Sequence, residues 1–362
     1  MPKQKKSGFR EKDLIIRISL TAVLAVVFFS VFFAFGGVNL ILNRIGEVKC
    51  FADYDFEVHY IDVGQGDSTF IRFPDGSNML IDAGPSSSGV RLVNYLSDLF
   101  KQEGIAKIDR FLFTHQDSDH IGGAPNVFAT FQVDYVYRPM VYCQYEVSNF
   151  ENLQDYNVST TSYYNKAIIA SYNEPNCKVY FSKADIEWGN SEYSVKFLSP
   201  NEEKYSSNNA YSPIVKVVYK SRSFLFTGDA ESVTENEVIK LHSGELKADV
   251  LKVAHHGGKY SSSAKFLAYV SPKIAIISVG KNNSYGHPTE ETLGRIEEVG
   301  ATVYQTAIEG SIALSVDGDN NIIKGGVNNQ PDFDLTIVIV FFIAGVLVVW
   351  GVRPIKQHKK AT

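Results

Sequence analysis

Two long uncharged segments near the ends of the chain constrain its fold more than any other feature. Residues 18–43 form a run of 26 mostly apolar residues, and residues 335–352 form a second run of 18. As a helix, each is long enough to cross a hydrocarbon core of about 30 Å. We therefore expect two transmembrane helices, with the rest of the 362-residue chain folding between them.

Basic residues flank both apolar segments on their outer sides. Residues 1–17 carry six Lys or Arg, and residues 353–362 carry four. Because cytoplasmic flanks are enriched in Lys and Arg, both tails are predicted to be cytoplasmic and residues 54–330 extracytoplasmic. The chain is then a two-pass protein of the cell membrane, with the lipid bilayer as a partner. The alternatives are a cleaved signal peptide for the first segment and a buried core helix for the second. The length of the first segment argues against a signal peptide, and the basic tail after the second segment argues against a core helix.

The region between the two segments is acidic. Residues 54–330 hold 23 Lys or Arg and 34 Asp or Glu, a net charge of −11, whereas the whole chain carries −5. Non-specific nucleic-acid binding usually depends on clustered basic residues. The charge therefore counts against a nucleic-acid substrate unless bound metal ions supply positive charge.

Short β-branched and aromatic runs alternate with helical patterns in this region, which predicts an α/β layered domain. The segment at about 135–211 holds 12 of the 20 tyrosines and is interpreted as an insertion or elaborated cap. A disulfide between Cys143 and Cys177 would suit an exported domain, but the spacing leaves this open. The predicted strands are 56–63, 68–73, 78–81, 109–113, 194–198, 214–219, 223–226, 250–253, 274–279 and 302–304. The predicted helices are 90–101, 231–242, 263–270 and 290–299.

The clearest chemical signal follows the predicted strand 109–113. His115, Asp117, Asp119 and His120 lie within six residues, and two glycines follow at 122 and 123. Side chains on so tight a loop can point into one site. Imidazole and carboxylate donors suit Zn²⁺ or Mn²⁺, and they exclude a soft thiolate site. The loop is therefore predicted to bind a divalent metal ion.

Two further predicted strands end in residues of the same kind. Asp229 follows an apolar strand, and His255 and His256 follow another. Taken singly, such residues more often cap a turn or have a structural role. Their repetition at strand ends, in a chain that already has a metal loop, favours Asp229 as a bridging carboxylate and His255 as a completing ligand.

These motifs together resemble the metallo-β-lactamase fold. The metal loop is preceded by Asp82 in the run Leu-Ile-Asp-Ala-Gly and followed by Asp229 and His255. More narrowly, the runs at 61–68, 252–257 and 285–288 are similar to the extracytoplasmic hydrolase domain of ComEC-type competence proteins. The resemblance covers about residues 54–318 and implies a four-layer αββα sandwich, flanked here by the two predicted transmembrane helices.

The resemblance also implies a centre with two divalent ions, Zn²⁺ or Mn²⁺. One departure is that no histidine occurs between residues 121 and 241, where many members of the fold supply another ligand for the first ion. Asn208, Asn209 or Ser212 could occupy that region. The implied ligands are His115 and Asp117 for the first ion, Asp119, His120 and His255 for the second, and Asp229 between them, with Asp82, Asp67 and His256 in support.

Two bound ions would activate water for phosphoester hydrolysis. Asp119, Asp229 and His287 are the candidate catalytic residues, with His287 donating to a phosphate oxygen or protonating the leaving group. A purely structural role for His287 is an equal alternative. Lys259, Ser261 and Asn283 are candidate substrate contacts, although Ser261 could instead cap a helix.

Three functions follow from this interpretation. The first is an extracytoplasmic phosphodiesterase or nuclease acting on DNA. The second is a hydrolase of a cell-envelope phosphodiester, such as a teichoic-acid or phosphocholine linkage. The third is a non-catalytic membrane scaffold that retains the fold. ComEC-type proteins carry a many-span channel domain and this chain has two predicted spans, so a separate membrane channel protein is a candidate partner.

Overall fold

The computed structural model describes residues 16, 18–23, 55–149, 151 and 156–326. Residues 18–23 are helical. The rest of the first predicted transmembrane segment, and all of the second at 335–352, lie outside the described residues. Within the described part of the chain, no helix has both the length and the apolar character needed to cross a membrane. Residues 45–329 form one compact unit, to which the description below applies.

Two large mixed sheets form the centre of this unit. The strands, in chain order, are β1 (Glu57–Tyr60), β2 (Thr69–Arg72), β3 (Asn78–Ile81), β4 (Ile108–Leu112), β5 (Val133–Arg138), β6 (Tyr142–Cys143), β7 (Val158–Ser159), β8 (Lys178–Phe181), β9 (Glu187–Gly189), β10 (Tyr193–Phe197), β11 (Val215–Tyr219), β12 (Arg222–Phe226), β13 (Val250–Lys252), β14 (Ile274–Ile277), β15 (Thr302–Gln305), β16 (Ile312–Val316) and β17 (Ile322–Gly326). The α-helices from residue 55 onward are α1 (Gly89–Glu103), α2 (Ser118–Ile121), α3 (Ala124–Phe128), α4 (Ser162–Asn173), α5 (Ser232–His242), α6 (Ala264–Val270), α7 (Glu290–Glu298) and α8 (Thr306–Glu309).

Each sheet has an antiparallel half and a parallel half. The first sheet has the order β17-β16-β1-β2-β3-β4-β5-β8 and is parallel from β3 to β8. The second has the order β15-β14-β13-β12-β11-β10-β9 and is parallel from β12 to β15. Parallel strands present their carboxyl ends at a common edge, where ligands bind in many open α/β sheets.

Three apolar clusters define four layers. Phe56, Phe73 and Phe224 belong to the cluster between the two sheets. A second cluster joins the outer face of the first sheet to α1, α3 and α4, and a third joins the outer face of the second sheet to α5, α6 and α7. The order of layers is therefore helix, sheet, sheet, helix, as the resemblance implied.

Helix α1 shows how the sequence pattern produces a layer. Its buried residues Leu92, Leu96 and Leu99 recur at helical spacing and face the first sheet. The helix ends at Gly104, whose φ of +66° closes the last turn at low steric cost. The predicted helix 90–101 is thus present, although Val90 at its start is exposed.

The tyrosine-rich segment 135–211 does not form a separate cap, because its strands belong to both sheets, and its interpretation as an insertion stays a prediction. It supplies β8 to the first sheet and β9 and β10 to the second, and α4 packs on the outer layer. Several of its tyrosines are strand residues, including Tyr135 and Tyr137 in β5 and Tyr193 in β10. Cys143 and Cys177 are both free thiols, which leaves no disulfide between them.

Candidate metal centre

The predicted metal loop leaves the carboxyl end of β4 and enters the short helix α2. His115 and His120 are fully buried, and their ring centroids lie 4.2 Å apart. Asp117 directly precedes α2 and is partly exposed, whereas Asp119 lies within its first turn. The short helix thus brings both ends of the motif to one site.

Asp82 holds this loop from the end of the neighbouring strand β3. One of its carboxylate oxygens accepts the backbone N–H of Thr114 at 2.8 Å, and the other accepts the Thr114 hydroxyl at 2.7 Å. The second oxygen also lies 2.7 Å from Nδ1 of His120. Donation by Nδ1–H fixes the tautomer and leaves Nε2 of His120 free to bind a metal, as second-shell carboxylates do in metal sites. This is the supporting position that the resemblance implied for Asp82.

Asp229, at the end of β12, lies at the centre of the histidines. Its Oδ1 is 3.2 Å from Nε2 of His120, and its Oδ2 is 3.9 Å from Nε2 of His115 and 3.8 Å from Nε2 of His256. Burial alone would raise the pKa of Asp229, but His120 and His256 outweigh it and hold the pKa well below the usual range. Conversely, Asp229 and Asp82 overcome burial to raise the pKa of His120 well above its usual value.

The two adjacent histidines after β13 have different surroundings. Both have positive φ, 50° for His255 and 52° for His256, which is uncommon for non-glycine residues and typical of functional sites. His256 is buried, and its Nε2 lies 3.2 Å from Oδ2 of Asp119. His255 is partly exposed, with its Nε2 3.7 Å from Oδ2 of Asp229 and its Nδ1 3.5 Å from Glu231.

Both histidines approach Asp229, but their burial differs from what the sequence suggested. His256, predicted as a supporting residue, belongs to the buried cluster, whereas the predicted ligand His255 lies at its margin. Burial lowers the pKa of His256, but Asp229 and Asp67 raise it to about 10. In the metal-free protein His256 is therefore a cation held between carboxylates.

Asp67 approaches the cluster from the glycine-rich loop after β1. Its backbone N–H donates to the carbonyl of Asp119, and its carboxylate lies 3.2 Å from Nδ1 of His256. The ammonium group of Lys252 forms a buried ion pair with Asp67 at 2.6 Å. Burial raises the pKa of Asp67, but Lys252 and His256 together lower it to about 2.

Lys252 is the residue that sequence reasoning missed. It is the last residue of β13 and is almost fully buried. A lysine at the end of an otherwise apolar strand, three residues before paired histidines, was the signal that could have identified it, because Lys is almost never fully buried unless paired.

The residues present fit a divalent ion. One donor atom from each of Asp67, His120, Asp229 and His256 lies within 4.8 Å of the others. Among the described residues, the buried atoms without a hydrogen-bond partner include His120 Nε2, Asp229 Oδ1, Asp67 Oδ1 and His115 Nε2. Unpartnered buried polar atoms are costly, and imidazole nitrogen with carboxylate oxygen is a donor set that Zn²⁺ and Mn²⁺ accept.

A second, more open group of donors also approaches Asp229. His115 Nε2 lies 3.7 Å from Asp117 Oδ2 and 3.9 Å from Asp229 Oδ2. Of the residues proposed in place of the absent histidine, Asn208 donates to Asp117 at 2.9 Å, and Ser212 Oγ lies 3.4 Å from Nδ1 of His115.

Asn209, the third residue proposed there, turns to Glu231 and His255. An ion bound by this second group would therefore be held by His115, Asp117 and Asp229, with fewer buried ligands than the cluster of Asp67, His120, Asp229 and His256.

His287 lies beside the centre, with its ring centroid 5.5 Å from that of His255. Burial, His255 and His256 lower its pKa. Gly258 permits this approach, because a Cβ there would lie 3.2 Å from Nε2 of His287. His287 is therefore neutral at pH 7 and close enough to contact a ligand of the centre.

Two of the three predicted substrate contacts are structural instead. The Ser261 hydroxyl is fully buried and donates to the carbonyls of Ala254 and Gly258. Asn283 donates to the carbonyls of Gly280 and His287. Lys259 remains on the exposed rim, with its ammonium 4.8 Å from the centre of the Tyr260 ring.

The fold and this centre together place the chain in a known family. The sequence model of the metallo-beta-lactamase superfamily matches residues 61–281, and the chain belongs to that superfamily, whose fold indicates a metal-dependent hydrolase.

Three curated relatives show which members of the superfamily the chain resembles. The chain is 30% identical to ComE operon protein 3 of Bacillus subtilis over 71% of its own length and 32% of that protein, and 28% identical to Competence protein ComA of Neisseria gonorrhoeae over 74% and 33%. It is 27% identical to Recombination protein 2 of Haemophilus influenzae over 77% of its length and 31% of that protein. The chain thus spans about a third of the length of these relatives, and it is homologous to ComEC-type competence proteins.

Proposed function

We propose that this protein is a membrane-anchored, metal-dependent phosphodiesterase whose catalytic domain is extracytoplasmic and acts on DNA. The observation that carries the proposal is the buried group of Asp67, His120, Asp229 and His256, whose donor atoms converge within 4.8 Å. The anchors would be the apolar segments 18–43 and 335–352, and the positive-inside rule would place both termini in the cytoplasm.

The ligand set supports a phosphodiester substrate. Asp117, Asp119 and Asp229 contribute carboxylates from both sides of the centre, and hard oxygen donors suit ions that coordinate phosphate oxygens. Bound divalent ions would lower the pKa of water, hold a phosphoryl oxygen and stabilise the leaving group. They would also offset, at the point of reaction, the −11 charge of residues 54–330.

The protein's own side chains would position the reactants. Asp82 orients His120, and Lys252 keeps the carboxylate of Asp67 ionised beside His256. Because the pKa of His287 is lowered, its neutral ring is better suited to donate an N–H to a phosphate oxygen than to protonate a leaving group. We therefore assign His287 to substrate orientation in preference to general-acid catalysis.

The relatives support DNA as the substrate to test first. One of them is named a competence protein and another a recombination protein. A separate membrane channel protein stays a proposed partner.

The test uses the full-length chain, purified in detergent and supplied with Mn²⁺ or Zn²⁺. We expect cleavage of single- or double-stranded DNA and of bis-p-nitrophenyl phosphate. The double variant Asp119→Ala/His120→Ala should lose this activity, whereas Asp319→Ala, on an exposed turn, should keep it. A fully active double variant would refute the assignment of the centre.

A cell-envelope phosphodiester is the second candidate, and the net charge of −11 on residues 54–330 favours a substrate that carries a cationic group, such as phosphocholine. Teichoic-acid and phosphocholine substrates therefore belong in the same assay. Cleavage of bis-p-nitrophenyl phosphate and an envelope polymer, without cleavage of DNA, would favour this candidate. Failure of every substrate with either metal, in a folded and metal-loaded chain, would leave the non-catalytic scaffold.

A further inference from the structure

A series of aromatic rings leads outward from the metal centre to the protein surface. The ring of Tyr285 stacks on His287 at a centroid distance of 5.9 Å and an interplanar angle of 29°. His287 in turn lies 5.5 Å from His255 and 6.4 Å from His256. Tyr285 is therefore separated from the metal-binding histidines by a single ring.

Tyr285 and Tyr260 are unusually exposed for aromatic side chains. Each has 68% of its surface accessible, more than any other tyrosine that the structure describes. Tyr260 lies four residues beyond His256, and Tyr285 two residues before His287. Both exposed rings thus belong to loops that carry histidines of the centre.

These two loops are held together as one rim. The backbone N–H of Thr289 donates to the carbonyl of Gly257 at 3.0 Å, and a Cβ at Gly257 would lie 2.5 Å from that of Pro288. Within the second loop, the Asn283 side chain donates to the carbonyl of His287 and accepts the backbone N–H groups of Tyr285 and His287. Asn283 therefore fixes the backbone that presents the Tyr285 ring.

We propose that this rim, defined as Lys259, Tyr260, Tyr285 and His287, is a base-stacking subsite for single-stranded nucleic acid. A nucleobase would stack on the exposed face of Tyr285, while Lys259 would contact a backbone phosphate. Aromatic side chains beside a cationic group are the usual means of binding single strands without sequence preference. The proposal rests on the phosphodiesterase function above and names the class of substrate.

An aromatic surface could also bind a quaternary ammonium group, but the charge on the rim argues against that ligand. A quaternary ammonium group, as in phosphocholine, binds the face of an aromatic ring. The Lys259 ammonium lies 4.8 Å from the centre of the Tyr260 ring and would repel such a cation. A phosphate next to a base meets no such repulsion.

The test compares two oligonucleotides of equal length and charge. One is a fluorescent phosphorothioate oligothymidylate, and the other carries abasic residues in place of the thymidines. Binding to the Mn²⁺-loaded full-length chain is followed by fluorescence anisotropy. Because stacking contributes roughly 1–3 kcal/mol per base, we expect at least about fivefold tighter binding of the thymidine strand.

Variants of Tyr285 test whether its ring causes the preference for the thymidine strand. Tyr285→Ala should abolish the preference for thymidine over abasic strands, and Tyr285→Phe should keep it. Tyr269→Ala, at an exposed tyrosine on α6, is the matched control and should also keep it. Equal binding of both strands by the unaltered chain, or an undiminished preference in Tyr285→Ala, would overturn the proposal.

The two proposals fail in different ways. If the two phosphorothioate strands bind equally well while their phosphodiester counterparts are both cleaved, the stacking subsite is wrong and the phosphodiesterase stands. If the preference in binding is present but no phosphodiester is cleaved with Mn²⁺ or Zn²⁺, the phosphodiesterase is wrong and the rim binds nucleic acid without cleaving it.

Discussion

His255 and His256 are neighbours in the sequence, yet they have separate roles in the structure. Only His256 belongs to the buried cluster, so substitutions of the two histidines should change the metal content of the protein differently. After chelation and reloading with Mn²⁺, His256→Gln should lose the tightly held ion, whereas His255→Gln should retain it. Metal content per chain, measured by mass spectrometry, decides between them. The reverse result would restore the ligand assignment that the sequence suggested.

Asp82 should influence metal binding without contacting the metal. Asp82→Asn preserves the shape of the side chain but replaces the charged acceptor that orients His120 at 2.7 Å. Loss of such a second-shell partner typically lowers metal affinity about 10–100-fold. A competitive chelator titration measures this, with Asp75→Asn at an exposed turn as the control. Unchanged affinity in Asp82→Asn would show that His120 is oriented without its help.

The metal-free protein should lose stability as pH rises above neutrality. The pKa of His256 is about 10 in the folded state against 6.5 for an ordinary histidine. Its protonation therefore stabilises the folded state fully below pH 6.5, and this stabilisation is lost as pH rises through 10. Asp67 has a pKa of about 2 against 3.8, so its contribution is present above pH 3.8 and is lost as pH falls towards 2. We therefore expect the metal-free protein, in EDTA, to have its highest melting temperature between pH 3.8 and pH 6.5.

Thermal denaturation in EDTA from pH 4 to pH 9 measures this dependence. Saturating Mn²⁺ should oppose the decline above pH 6.5, because metal binding requires deprotonated histidines and becomes stronger as pH rises. In His256→Gln the decline should be smaller. A decline of the same size in that variant would assign it to other groups.

At the scale of the elements, the loop between β1 and β2 is fixed by a close backbone contact. Gly66 has a φ of +147°, and a Cβ there would collide with the carbonyl oxygen of Asp119. Gly66→Ala should therefore destabilise the protein by about 3 kcal/mol and displace Asp67 from the centre. Gly76→Ala is the matched control, since Gly76 also has positive φ, +81°, but open space around it.

Because Gly76→Ala introduces backbone strain without a collision, it should cost only about 1 kcal/mol. Urea denaturation compares the two variants. If both lose the same stability, the contact between the loop and Asp119 is not a constraint on the fold.

The strands that carry the centre were predictable from sequence because each is a short apolar run closed by polar residues or glycine. The predicted bounds of β3, β4, β12 and β13 agree with the structure to within one residue at either end. By contrast, β5 and β8 lie within or across the tyrosine-rich segment, where alternating tyrosines resemble an insertion in composition. Strand β16 pairs with β1, from which it is separated by about 250 residues, and local sequence holds no sign of that partner.

The centre itself was predictable in residue type but not in arrangement. The sequence places Asp82, His115, His120 and Asp229 at strand ends, and the common edge of the parallel strands brings them together. The choice between His255 and His256 depends on two consecutive residues with positive φ, which spacing cannot reveal. The pairing of Asp67 with Lys252 joins residues from different sheets and could not be inferred from either strand alone.

At the scale of the whole molecule, the proposed topology gives a direct prediction. If residues 54–330 are extracytoplasmic, protease added outside intact spheroplasts should digest this domain, while a tag at either terminus should remain protected. A cytoplasmic protein serves as the control for intact membranes. Protection of the domain with digestion of the tags would reverse the orientation, and release of the chain by alkaline carbonate would contradict anchoring by membrane-spanning helices.

Strand β1 lies between β2 and β16 in the first sheet, so its two neighbours come from opposite ends of the domain. A ribosome makes β1 early and β16 only after some 250 further residues, and contacts of such long range form slowly. During synthesis, one side of β1 therefore remains an unpaired edge that can associate with other chains. A nascent or truncated chain ending before residue 312 would keep that edge, which makes the last strands of the domain its protection against aggregation.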